Sequence, residues 1–204
     1  RADASSASAV DAATGLTPLH FAALNGAPLE IITGLLSATK NEAAKAVALD
    51  GSIPLIGAVA SGATLEVISA LLNAYVDGAK HNVKGHTPLH YACCHGQPLA
   101  VVQMLLKAWP GAAAVADAEG NYPLHFAAIH GRSASIVKEL ISACPEAPMK
   151  RGHWGRFPLA LALLNGAPAS AVVAIRDAYP DAMRCPKLSC DFMNGPHGEG
   201  LPAT

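Results

Sequence analysis

Thr87-Pro88-Leu89-His90-Tyr91-Ala92-Cys93-Cys94-His95-Gly96 recurs in altered form four more times along this chain. The other copies are TPLHFAALNG at 17–26, IPLIGAVASG at 53–62, YPLHFAAIHG at 122–131 and FPLALALLNG at 157–166. Their prolines, Pro18, Pro54, Pro88, Pro123 and Pro158, lie 36, 34, 35 and 35 residues apart. A glycine closes every copy at one offset, at Gly26, Gly62, Gly96, Gly131 and Gly166. Self-similarity at this period signals a stacked repeat array, in which each unit needs its neighbours to bury its apolar face. Arrays of this kind mostly present extended binding surfaces.

The third copy predicts two helices. Thr87 supplies an N-cap hydroxyl, and Pro88 takes the first helical position, where its missing N–H costs nothing. Leu89, Ala92 and Cys93 then share one narrow apolar face. Gly96 ends the helix in a left-handed conformation that glycine adopts cheaply. Pro98 opens a second helix, with Leu99, Val101, Val102, Leu105 and Leu106 as its stripe. Trp109-Pro110-Gly111 stops it, because proline cannot continue a helix. Gly15, Gly51, Gly85, Gly120 and Gly155 each precede the cap position by two residues, which fits a projecting tight turn.

This unit resembles the ankyrin repeat, whose hallmark is T-P-L-H-x-A. Thr17 to Ala22 and Thr87 to Ala92 match it fully, and Tyr122 to Ala127 changes only the Thr. The second and fifth copies keep Pro-Leu and lose both Thr and His. The resemblance implies an all-α solenoid of helix-turn-helix units with projecting β-turn or hairpin loops. It covers 11–184, in repeats of approximately 11–46, 47–80, 81–115, 116–150 and 151–184. A flexible Ala/Ser-rich leader, 1–10, precedes the array. An irregular tail, 185–204, follows, and its Glu199-Gly200-Leu201-Pro202 faintly echoes the start of another repeat, so a truncated sixth repeat is allowed. The period exceeds the usual 33 residues. The surplus falls after the second helix, which predicts a longer second helix stopped by proline.

Composition narrows the function. The chain has 14 Lys and Arg against 15 Asp and Glu, a formal charge of −1. Nucleic-acid binding would need a basic excess, and none exists. Phe157 to Ile175 is 19 residues without a charge. It also holds Pro158, Asn165, Gly166 and Pro168 in repeat register, which argues against a membrane span. Five cysteines without framework spacing read as reduced thiols, which points to a cytoplasmic compartment, and the chain is expected to be a monomer.

The nine histidines invite an enzyme or metal reading. His20, His90 and His125 stand at the fourth position of the hallmark string. There the resemblance implies a structural imidazole that ties neighbouring turns together. No Walker-type, nucleophile-elbow or zincin motif occurs, so the chain reads as no enzyme, with no cofactor and no metal. Cys185 and Cys190 lack two further ligands for zinc.

What remains is binding of a protein or peptide partner. The resemblance places turn tips and exposed first-helix positions on a concave groove. On that mapping the partner-binding candidates are Lys84, His86, His95, Glu119, Asn121, His130, His153, Trp154 and Arg156. Trp154 and Arg156 stand out, since interface hot spots favour Trp, Tyr and Arg. Neither terminal copy has the polar outer face of a capping repeat. The alternative reading is therefore an interaction or regulatory fragment of a larger enzyme or channel.

Overall fold

The computed structural model describes residues 4–180. A four-residue helix, α1 (Ala4–Ala7), leads into five helix pairs. The pairs are α2 (Pro18–Leu24) with α3 (Leu29–Ala38), α4 (Pro54–Ser61) with α5 (Leu65–Ala74), and α6 (Pro88–Cys94) with α7 (Leu99–Ala108). Then come α8 (Pro123–Ile129) with α9 (Ala134–Ala143) and α10 (Pro158–Leu164) with α11 (Ala169–Ala178). Among the described residues no strand forms. One isolated antiparallel bridge, Val83 to His86, closes the third turn. No helix among them is long and apolar enough to cross a membrane. The uncharged stretch at 157–175 is split between α10 and α11.

Local chemistry sets each helix boundary. Every first helix begins with its proline at the first position. At the far end of α6, Gly96 has φ +75°. The N–H of Gln97 then reaches the carbonyl of Ala92 at 3.1 Å, the six-to-one bond that satisfies a terminal carbonyl.

Packing is in two layers. First helices stack on first helices from α2 to α10, and second helices on second helices from α3 to α11. The leucine after each proline, Leu19, Leu55, Leu89, Leu124 and Leu159, is buried. Beside it lie small residues, Ala23, Ala58, Ala92, Ala127 and Ala162, each with no exposed surface. Small side chains bring the helices close. Val67, Ile68, Val101, Val102, Val137 and Leu140 fill the second layer.

Two expectations change. The second helices are not lengthened, since all five run ten residues. The surplus instead forms 3-10 turns at Val76–Lys80, Pro110–Ala114 and Ala147–Met149. Tyr75 and Trp109 adopt φ −147° and Cys144 φ −140°, which breaks the α-helix, and the turns that follow bury Ala79, Ala112 and Ala147 in that order. The leader, read as flexible, contains α1, and its Ala7 is buried near α3. The tail, with Cys185, Cys190 and the echo at 199–202, lies outside the described residues.

Buried imidazoles cross between repeats. The Nδ1 of His90 accepts the Thr87 N–H at 3.1 Å, so the neutral ring carries its proton on Nε2. That proton faces the Asn121 carbonyl of the next repeat at 3.2 Å. His20 does the same between Thr17 and Ser52, at 3.2 Å on each side. His125 accepts from Tyr122 at 3.1 Å, but its buried Nε2 has no hydrogen-bond partner. This matches the structural role that the resemblance implies, except at the outer side of His125.

Burial pushes His90 and His125 down to about 4 and lowers His20 as well. The folded state therefore keeps these rings neutral while the unfolded chain takes up protons below its ordinary histidine value. Stability is fully present above about pH 6.5 and is lost as pH falls toward 4. The two most shifted rings together are worth several kcal/mol, at about 1.4 kcal/mol per unit. Urea midpoints measured from pH 7 to 4 should fall across this window, and a flat profile would refute the account.

Candidate functional site

The five turns project beside the first helices, and the third to fifth are knitted together. Asp117 opens the fourth turn. Its Oδ1 accepts the N–H groups of Glu119 and Asn121, each at 2.8 Å, and its Oδ2 accepts the Asn121 amide at 3.2 Å. The same carboxylate meets His86 Nε2 of the third repeat at 3.3 Å. Burial alone would raise the Asp117 carboxyl. The Asn121 and Glu119 hydrogen bonds, with His86, outweigh it and hold the group below its ordinary value. On the other side, Asn121 Oδ1 accepts the His153 N–H at 2.8 Å, and Glu119 Oε2 meets His153 Nδ1 at 3.4 Å. The network thus spans three repeats.

Close approach forces glycine twice here. Gly85 has φ +86°, and a Cβ on it would lie 2.6 Å from the Ala118 nitrogen. A Cβ on Gly152 would strike Asn121 Oδ1 and sit 2.8 Å from His125 Nε2.

Behind the turns an aromatic and imidazole surface opens between α6 and α8. The His86 ring lies 5.4 Å from Phe126 and 6.0 Å from Tyr91. Tyr91 stacks on His95 at 5.9 Å. His86, His90, Tyr91, Cys94, His95 and Phe126 enclose a concavity of about 210 Å³. A larger one, about 490 Å³, lies between α5 and α7 and is lined mainly by aliphatic and amide side chains with Lys107. We place the candidate site at the smaller one because it gathers rings and ionisable groups. At its far end Cys94 Sγ meets His130 Nε2 of the next repeat at 3.4 Å. Burial raises the Cys94 thiol, and it pushes the neighbouring Cys93 up to about 12, so both stay protonated near neutrality. Among the described residues no three His, Cys, Asp or Glu side chains gather as a metal site.

The family model for ankyrin repeats, in three copies, matches residues 19–116, and a single ankyrin repeat model matches 119–149. The chain belongs to the ankyrin repeat family. No curated protein matches it. The family models stop at 149, but α10 and α11 continue the ankyrin geometry for a fifth pair.

The candidate residues divide in this ankyrin array. Lys84, His95 and His130 are exposed. Glu119 and His153 pair with each other rather than standing apart. His86 is half-buried against Asp117. Asn121 departs from the expected exposed position: it is 5% exposed, and both ends of its amide are engaged inside the network. Arg156 is half-buried, and its carbonyl accepts the Gly152 N–H at 2.9 Å. The backbone of Trp154 lies in a 3-10 turn, His153–Gly155, while its side chain lies outside the described residues.

The basic turn is internally engaged. Lys150 meets Glu146 at 3.0 Å, and Arg151 donates to the Gly155 carbonyl at 2.7 Å while lying over Phe157 at 4.3 Å. Tyr91, Phe126 and Asp117 were missed as candidates. Phe21, Tyr91 and Phe126 share one register position after the structural histidine, and that repetition was the available signal. Asp117 is the acceptor of a side-chain turn, a role its place before Gly120 permits.

Removing the Asp117 carboxylate strands three donors, the two on Asn121 buried and the Glu119 N–H part-buried. Asp117→Ala should destabilise the array by about 3 kcal/mol in urea unfolding. Lys84→Ala, at an exposed tip, should stay within about 0.5 kcal/mol. Equal, small effects would show that the network carries no stability.

Proposed function

We propose that this ankyrin array is a non-catalytic scaffold that binds a protein or peptide partner along the groove of its turns and first helices. Ankyrin repeats are generally protein–protein interaction modules and typically lack catalysis. One observation supports the groove at the third and fourth repeats. Tyr91 and Phe126, large rings left half-buried, stand beside His86 and His95 in a concavity with a polar rim. Partly covered aromatic rings of this kind gain most when a partner completes their burial.

Lys84, Glu119, His130 and His153 form the rim of the proposed surface. Trp154 and Arg156 extend it toward the fifth repeat. A second reading is favoured by Leu163, Leu164 and Val173, exposed large hydrophobics on the fifth pair. In that reading the array is the interaction or regulatory part of a larger enzyme or channel, and this face packs on its remainder.

The test is affinity capture with mass spectrometry, followed by calorimetry on the purified partner. Tyr91→Ala and Phe126→Ala should each weaken binding by about 2 kcal/mol, roughly thirtyfold. Trp154→Ala with Arg156→Ala reports on the fifth-repeat extension. Unchanged affinity in the folded Tyr91 and Phe126 variants would remove the groove reading.

A further inference from the structure

The loop between α8 and α9 carries a positive charge that the fold does not require. Arg132 reaches back to the preceding repeat, where its Nη2 donates to the Cys94 carbonyl at 3.1 Å and caps the end of α6. One repeat earlier, Gln97 occupies the same register position. Its amide donates to the Val59 carbonyl at 2.6 Å. A neutral side chain therefore does this capping work, and the guanidinium charge of Arg132 is surplus to it.

Nothing described neutralises that charge. Arg132 pairs with no carboxylate, and its Nε is buried without a hydrogen-bond partner. Buried N–H groups are almost always bonded, so the unbonded Nε adds a desolvation cost to that of the unpaired charge. The groups around it add to the imbalance. His130 Nε2 meets Cys94 Sγ at 3.4 Å, and His95 follows Cys94 at the end of α6. After burial, the Arg132 guanidinium and the neighbouring His95 help to hold the His130 imidazole below its ordinary value.

We infer that Arg132, His130 and His95 form an anion subsite at the end of the groove, which takes a carboxylate or phosphoryl group of the bound peptide. This deepens the groove reading and rests on it for the identity of the ligand's carrier. The site itself is a property of the unbound chain. An oxyanion here would pair with the guanidinium charge of the half-buried Arg132 from its solvent side. It would also face the His130 imidazole, whose protonated form an anion favours. Guanidinium is suited to both oxyanions, because its planar fork matches their geometry.

The experiment follows the imidazole signals of His130 and His95 by NMR during titration with inorganic phosphate, with acetate, and with sodium chloride at matched ionic strength. Phosphate, acetate or both should shift these signals saturably and raise the His130 midpoint by about one pH unit, the effect of an opposite charge nearby. The tighter of the two names the preferred oxyanion. Arg132→Gln keeps the carbonyl cap, as Gln97 does, and should abolish saturation. Arg132→Lys retains the charge and should retain a weakened response, which separates loss of charge from loss of fold. Shifts no larger than those in chloride would overturn the subsite, as would saturation that survives Arg132→Gln. Tyr91→Ala and Phe126→Ala should leave the phosphate response intact. Failure of the groove reading is thus distinguishable from failure of the subsite.

Discussion

No helix pair of this chain can bury its own apolar stripe, and the rest of the structure follows from that constraint. A first helix of seven or eight residues is too short to be stable alone. It persists because Leu19, Leu55, Leu89, Leu124 and Leu159 are sealed by adjacent pairs. The alanines beside them let neighbouring first helices approach closely, and close approach carries each imidazole to the next turn. His20 and His90 then bond across the gap at 3.2 Å. Tight stacking and the buried polar ties are one arrangement seen from two sides.

Much of the fold was legible because the signals are local and repeated five times. Proline at the first helical position, glycine after the last, and leucine at the next register position each have a steric or solvation cause that acts within a few residues. The 3-10 turns were less legible. The residues at 76–80 look like helix continuation, since Asp77 and Ala79 are compatible with either, and at 110–114 Pro110 marks the stop without specifying the turn that follows. What decides is the extended backbone of Tyr75 and Trp109, set by packing against the core rather than by propensity.

The site was legible in part for the same reason. Exposed tips such as Lys84, and first-helix ends such as His95 and His130, follow from register alone. The inward turn of Asn121 does not. Its amide is claimed by Asp117 on one side and by the His153 backbone on the other, and the second partner lies 32 residues away. Pairing across repeats also explains why residues that look like free charges, Glu119 and His153, are joined. Arg132 was hidden because its neighbours in register are Gln97 and alanines, so nothing repeated marked it.

His125 leaves its outer nitrogen unbonded, although the Arg156 carbonyl accepts the Gly152 N–H just as the Ser52 and Asn121 carbonyls accept those of Ala48 and Asp117. The polar joins between the fourth and fifth pairs have moved outward, to Asn121 with His153 and Glu119 with His153 near the turn tips. In a one-dimensional stack, each interface sets the opening free energy of what lies beyond it. The seam before the fifth pair keeps its apolar packing, with Leu159, Ala162 and Ile175 buried, and adds one contact, Glu119 with His153, within reach of dissolved ions. The array is therefore not uniform along its length: the apolar layers run on unbroken, while the polar ties of the last seam differ in kind from the imidazole ties of His20 and His90.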